Sequence, residues 1–231
     1  MSPQIAPLGG AAPDDPRQML EFLRGLHARP GGTGAILNLI WASKVRGSAD
    51  LSVLSLLISD VNVSVMLTRH GCDEAQHAYG LARRMTELRF APFRLSPELD
   101  RAEGLLARCR ARDVKQVYAE RGWVSDPELM ELTVAVLILE ADAAVKLRAN
   151  HDVLAHDPET QALLGAILRD DQRHVGYLRE RLGWFEGRFS RRAVAAARER
   201  LEDAFGQLTS VYYGALQDYF DRAALDSAVH A

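Results

Sequence analysis

Apolar residues recur every three or four positions along nearly the whole chain, and strand signals are absent. That period belongs to the helix, so the sequence predicts an all-α protein. Asp14-Asp15-Pro16 starts a short amphipathic helix carrying Met19, Leu20, Phe22, Leu23 and Leu26, which Pro30-Gly31-Gly32 ends. A long helix over about 33–58 follows, with Leu37, Ile40, Lys44, Leu51, Leu54 and Ile58 near one stripe. Asp60 caps the next, over about 61–88, where Val63, Met66, Leu67, His70, Glu74, His77, Leu81 and Met85 share a face. Pro92, Pro97 and Gly122 then break the pattern, and a shorter helix near 98–119 crosses to a second pair. That pair spans about 127–154, opened by Asp126-Pro127, and about 158–184, opened by Asp157-Pro158 and ended by Gly187. Its stripes are Thr133, Val136, Leu137, Glu140, Ala144, Leu147 and His151, and Leu164, Ile167, Leu168, Asp171, His174 and Leu178. A last long helix, about 190–223, carries Val194, Ala197, Leu201, Phe205, Leu208, Tyr212 and Leu216. The expected organisation is a disordered leader over 1–13, a brace helix over 14–30, a bundle over 31–186 and a C-terminal helix over 187–231 packing on it.

Within this pattern one short motif recurs. Cys72-Asp73-Glu74-Ala75-Gln76-His77 has its chemical counterpart in Arg169-Asp170-Asp171-Gln172-Arg173-His174. Each places an acid three residues before a histidine, so carboxylate and imidazole lie one turn apart on one helix face. Of the 7 histidines, only His77 and His174 have this neighbour. Asp60 and Asp157 each stand fourteen residues before the motif acid, ~21 Å of helix, so both motifs fall near mid-bundle. Glu140, 31 residues before Asp171, reaches the same level from the partner arm. The equivalent place in the first hairpin is Lys44, or its neighbour Ser43. Four arms therefore bring Lys44, Glu74 with His77, Glu140, and Asp171 with His174 to one level of one core.

This constellation resembles the ferritin-like carboxylate-bridged di-iron superfamily, in which two helices each carry a Glu and two carry Glu-x-x-His. The resemblance covers about residues 33–184 and includes the long crossover between hairpins. It implies a ferritin-like four-helix bundle with an N-terminal short helix, a helical crossover and a long extra C-terminal helix. It also implies metal ligands: Glu74 and Asp171 as bridging carboxylates, Glu140 and His174 terminating one ion, His77 the other. The metal implied is iron, as one or two ions, with manganese as the alternative. The activity implied is an oxidase or oxygenase taking dioxygen and a small organic substrate.

Two departures alter that expectation. Asp171 is one methylene shorter than the usual Glu, and Lys44 stands where the first Glu belongs. Two divalent ions with a protonated lysine would set +5 against -3 from Glu74, Glu140 and Asp171, whereas one divalent ion balances. The arithmetic favours a single ion at Glu140, His174 and Asp171, with Glu74 as an optional fourth ligand and Lys44 paired to a freed carboxylate. A neutral or carbamylated Lys44 would restore room for a second ion. Lys44 is accordingly read as a salt bridge in place of a metal or as a catalytic lysine at an altered site. The competing readings for the motifs are buried polar networks, a metal-handling protein without organic substrate, and a metal-free scaffold.

Other residues are secondary. His70, a turn before Glu74, and His151, beyond Glu140, read as core or outer partners, with an extra ligand or proton shuttle as the alternative. Asp73 and Asp170 are placed to hold a histidine of the neighbouring helix. Trp41 and Tyr177 read as packing, with electron relay as the alternative; Cys72 and Cys109 read as core thiols.

Composition adds exclusions. A net charge of -3 gives no electrostatic case for nucleic acid or an anionic membrane, and no apolar run reaches spanning length. Met1 to Pro16 lacks the features of a signal peptide, and 2 cysteines without metal-type spacing suggest the cytoplasm. Of 28 basic side chains only Lys44, Lys115 and Lys146 are lysine, which makes a lysine on a core stripe pointed. The last helix, with Tyr212, Tyr213, Tyr219 and Phe220, is also a candidate homodimer surface.

Overall fold

The structure, a computed structural model, describes residues 15–229, with side chains through 221. The leader expected over 1–13 lies outside the described residues. Helices run α1 Pro16–His27, α2 Gly32–Leu56, α3 Val61–Glu87, α4 Arg101–Leu106, α5 Val114–Glu120, α6 Asp126–Val153, α7 Pro158–Arg188 and α8 Arg191–Val229. Among the described residues there is no strand, as the period required. None of these helices is long and apolar enough to cross a membrane.

The predicted helix ends hold where a cap is local. Asp15, Asp60 and Asp157 each accept from backbone N–H groups of the first turn they precede. At α6 the cap is Ser125, in a capping box with Glu128, and Asp126 is already helical. Gly187 does not end α7, which runs on to Arg188. The single crossover helix is also not formed. Residues 89–125 hold a 3-10 turn at Pro97–Leu99 and the short α4 and α5, because Asp100 and Asp113 each cap a new start. Gly31, at φ 71, makes the tight turn from α1 into α2.

α2 packs along α3 and α6 along α7, and α3 meets α7 between the pairs. The two hairpin turns lie at opposite ends of the bundle. Arg84, near the end of α3, forks onto Asp157 in the α6–α7 turn at 2.9 and 3.0 Å. At the other end the N–H of Val124 bonds the Leu57 carbonyl in the α2–α3 turn. The acids fourteen residues beyond each turn therefore meet at mid-height from opposite directions.

Two apolar clusters bracket that height. One gathers Leu51, Leu54, Leu67, Leu137, Val175 and Leu178. The other gathers Leu37, Leu81, Met85, Leu147, Leu164 and Ile167. On each of the four arms the charged residues fall between a member of the first cluster and a member of the second. The result is a polar layer sealed by hydrocarbon above and below.

α1 buries Phe22, Leu23 and Leu26 in a third cluster with Leu216 and Phe220 of α8. α8 thus spends much of its apolar stripe on the bundle. α6 is the most enclosed arm, with every residue from Leu129 to Ala135 buried.

A candidate metal centre

The polar layer has two halves, and Lys44 decides their division. Its side chain, almost wholly buried, donates to Glu74 Oε1 at 2.8 Å and to Asp171 Oδ1 and Oδ2 at 2.8 and 3.0 Å. Glu74, His77 and Asp171 offer ligand atoms close enough to share an ion, yet the ammonium stands against both carboxylates. A glycine helps to make this room: a Cβ on Gly47 would come within 3.0 Å of Glu74 Oε2.

In the other half, His70, Glu74, Glu140 and His174 present ligand atoms within 4.8 Å of one another, all four buried. This cluster can hold a metal ion. His70 Nε2 lies 3.3 Å from Glu140 Oε1, and His174 Nδ1 lies 3.7 Å from Glu140 Oε2. His70 Nε2, Glu140 Oε2 and His174 Nδ1 have no hydrogen-bond partner. Three such atoms converging in a dry layer are costly as they stand, and a cation would satisfy all three.

Outer partners orient the imidazoles. His174 Nε2 meets Asp73 Oδ2 at 3.1 Å, and His77 Nε2 meets Asp170 Oδ2 at 3.0 Å. Each aspartate thus holds the histidine of the opposite hairpin, as expected from their place just before the motif acids. Arg173 ties the two aspartates together, at 2.8 Å to Asp73 and 2.7 Å to Asp170. The Tyr177 hydroxyl engages His70 Nδ1. For both His70 and His174, a polar partner outside leaves the inward nitrogen facing Glu140, the arrangement that fixes a metal-binding tautomer.

The electrostatics point the same way. Glu74, Glu140 and Asp171 carry three negative charges against one on Lys44. Burial alone would lower the Lys44 pKa, but Glu74, Glu140 and Asp171 outweigh it and hold the amine protonated. Asp171 is pushed up to about 7 by burial and by Glu140 and Glu74, against the pull of Lys44. Burial works to raise Glu140, yet Lys44, His174 and His70 hold it well below the usual carboxylate range. For His77 and His174 burial works downward, but contacts with Glu74 and Asp170, and with Glu140 and Asp73, leave both raised. Without a metal the layer retains protons to offset its acids; one divalent ion would offset two charges directly.

All six residues singled out in the sequence meet in this layer, but in a different division. Asp171 bonds Lys44 and stands 4.0 Å from His174 Nδ1, outside the four-residue cluster, while His77 faces Glu74 beside the ammonium. His70, read as core or an outer partner with an extra ligand as the alternative, is a member of the four-residue cluster. The signal for it was its place on the Glu74 stripe, one turn earlier. His151 lies elsewhere, beside Asp152. Trp41 packs in the Leu37 cluster. Both cysteines are free; Cys109 is buried, but Cys72 is exposed because its neighbour Gly71, not Cys72, turns toward α2.

Two cavities of about 120 and 80 Å³ adjoin the layer and share Ser43, Lys44, Ala102, Leu139 and Ala143 as walls. They lie between α2 and α6; α4 and α8 flank the larger from outside, and α4 and α5 the smaller. The smaller reaches Glu74 and Glu140; the larger runs toward Arg101, Lys146 and Tyr212. No protein-family model, curated protein or solved structure matches this chain.

Proposed function

We propose that this chain is a ferritin-like, non-haem iron oxidase or oxygenase that acts on a small organic substrate with dioxygen as oxidant. In this reading the centre holds one ion, and the Lys44 ammonium takes the place of a second. The observation that carries the proposal is the convergence of His70 Nε2, Glu140 Oε2 and His174 Nδ1, three unpartnered buried atoms. Two imidazoles and one carboxylate on one side of a metal, with open positions opposite, are the ligand set of non-haem Fe(II) oxygenases. Manganese would accept the same donors.

Bound there, iron would supply a site for dioxygen to accept electrons beside the substrate. The chain's own residues do the rest. His70, His174 and Glu140 hold the ion, with Glu74 as the fourth donor within reach. Asp73 and Tyr177 keep the histidines turned inward. Lys44, shared between Asp171 and Glu74, offsets one of the three carboxylate charges, and one divalent ion offsets the other two, so the layer closes with no surplus charge. Leu39, Leu139 and Leu147 give the adjoining chamber apolar walls.

The smaller cavity favours an enzyme over a metal-free scaffold. A scaffold stabilised by the Lys44 bridges alone requires no void against Glu140, and here one exists. Metal content per chain, after anaerobic reconstitution with Fe(II), tests the proposal. One iron per wild-type chain is expected, lost in His70→Ala and His174→Ala and kept in His77→Ala. Retention in both His70→Ala and His174→Ala, or no iron or manganese in wild type, would overturn it.

A further inference from the structure

The larger cavity ends in a charge arrangement that the metal centre does not use. Arg101 from α4 and Lys146 from α6 both donate to one oxygen, Asp142 Oδ2, at 2.8 and 2.7 Å. Two cations share one carboxylate, and all three side chains are mostly buried. Lys146 Nζ sits 5.3 and 5.5 Å from the Tyr212 and Tyr213 ring centroids, and the Arg101 guanidinium 4.4 Å from that of Tyr212. Ring faces soften the surplus charge without cancelling it. Asp100, on the same wall, is already taken by Arg46 at 2.7 Å. A surplus positive charge at the edge of an enclosed apolar chamber is costly unless an anion comes to it.

Apart from Ser43 and Lys44, which face the metal layer, the remaining lining is hydrocarbon, chiefly Leu39, Ile40, Leu95, Leu99, Leu139 and Leu147. Lys146 lies six residues beyond Glu140 on one helix, so its ammonium end of the chamber is ~9 Å along the axis from the metal layer. The geometry points to a subsite for a small aliphatic carboxylate, its headgroup on Lys146 and Arg101 and its chain lying between α2 and α6 toward Glu140. This rests on the chamber being the substrate site of the proposed enzyme, and it names the substrate class. The headgroup stays away from the metal, so the carbon presented for oxidation is remote from the carboxylate. Asp142 already competes for both cations, which sets the sign of its effect: it weakens the anion it helps to position.

Isothermal titration of metal-loaded protein with butanoate, hexanoate and octanoate, and with 1-octanol as the uncharged control, tests the subsite. At least one carboxylate is expected to bind saturably. Lys146→Met should weaken it about tenfold or more, the scale of a charge-assisted hydrogen bond, while Lys146→Arg keeps it. Asp142→Asn should tighten binding, a direction that general damage to the fold would not produce. Melting temperature and iron content are measured on every variant, so loss of the metal centre is told apart from loss of the anion site. Saturable carboxylate binding that neither Lys146→Met nor Asp142→Asn changes would overturn the proposal. So would the absence of binding by all three carboxylates in protein that carries its iron.

Discussion

Lys44→Met removes the charge that divides the polar layer, and its cost can be worked from the structure. The wild-type ammonium is 3% exposed and donates to Glu74 and Asp171 at 2.8, 2.8 and 3.0 Å. Methionine fills nearly the same volume but offers no donor, so Asp171 loses both of its hydrogen bonds and Glu74 keeps only His77. Breaking one side of a buried ion pair costs about 3–5 kcal/mol. For a domain of this length each kcal/mol is worth ~2–4 °C, so metal-free Lys44→Met should melt ~6–20 °C below wild type. The deficit should shrink on acidification. In the variant the orphaned carboxyls have folded pKa values raised above their unfolded ones, so the folded state binds more protons and gains as pH falls. A divalent ion at a hundred times its dissociation constant returns ~2.7 kcal/mol, and in the variant it is free to occupy the vacated side. Differential scanning calorimetry in chelator, then in Mn(II), at two pH values reads all three effects. Lys44→Glu completes the series: it restores a carboxylate and should raise iron content from one to two per chain. A Lys44→Met variant within ~2 °C of wild type in chelator would refute the ammonium's role as the stand-in for a second ion.

Asp73→Asn leaves the four residues that could hold an ion intact but weakens the partner of His174 Nε2. Metal affinity should fall about 10–100-fold while the melting temperature of the metal-free protein moves little, as competition with a chromogenic chelator can measure. Lys146 has its pKa lowered to about 8 by burial, which Asp142 opposes and Arg101 reinforces. A lysine with a depressed folded pKa costs stability while charged and ceases to do so as it deprotonates. Wild type should therefore gain on Lys146→Met as pH rises through about 8, until the unfolded lysine also titrates; urea unfolding across that range would show it. No gain would mean that the ammonium is better solvated than its burial implies.

Much of the architecture was legible because it is local. Periods of apolar residues located the four long arms; Asp60 and Asp157 marked the starts of two of them and Asp15 that of the brace helix, since a cap bonds only to the turn beside it. The crossover was misjudged as one helix because Asp100 and Asp113 restart the chain within a pattern whose apolar spacing barely changes. Ser125 displaced Asp126 as cap because Glu128 reaches back to it, a reciprocal bond that outranks an acid beside a proline.

The level of the site was legible for the same reason: rise per residue is constant, so distance from a turn can be counted along the chain. Equal counts from Asp60 and Asp157 placed Glu74 and Asp171 together, and Asp73 and Asp170 followed as partners for the opposite histidines. Which of these groups face one another is a different kind of question. It depends on how two hairpins are rotated about their axes, and a few tens of degrees separate a ligand from a neighbour. That rotation turned His70 inward against Glu140, gave Asp171 to Lys44, and left the void between α2 and α6 that α4 and α8 flank. The sequence by itself determined an all-helical chain with its acids, histidines and one lysine at a common height. Only the tertiary structure decided that they form one paired half and one open half, because a side chain's partner across a bundle is set by packing and not by period.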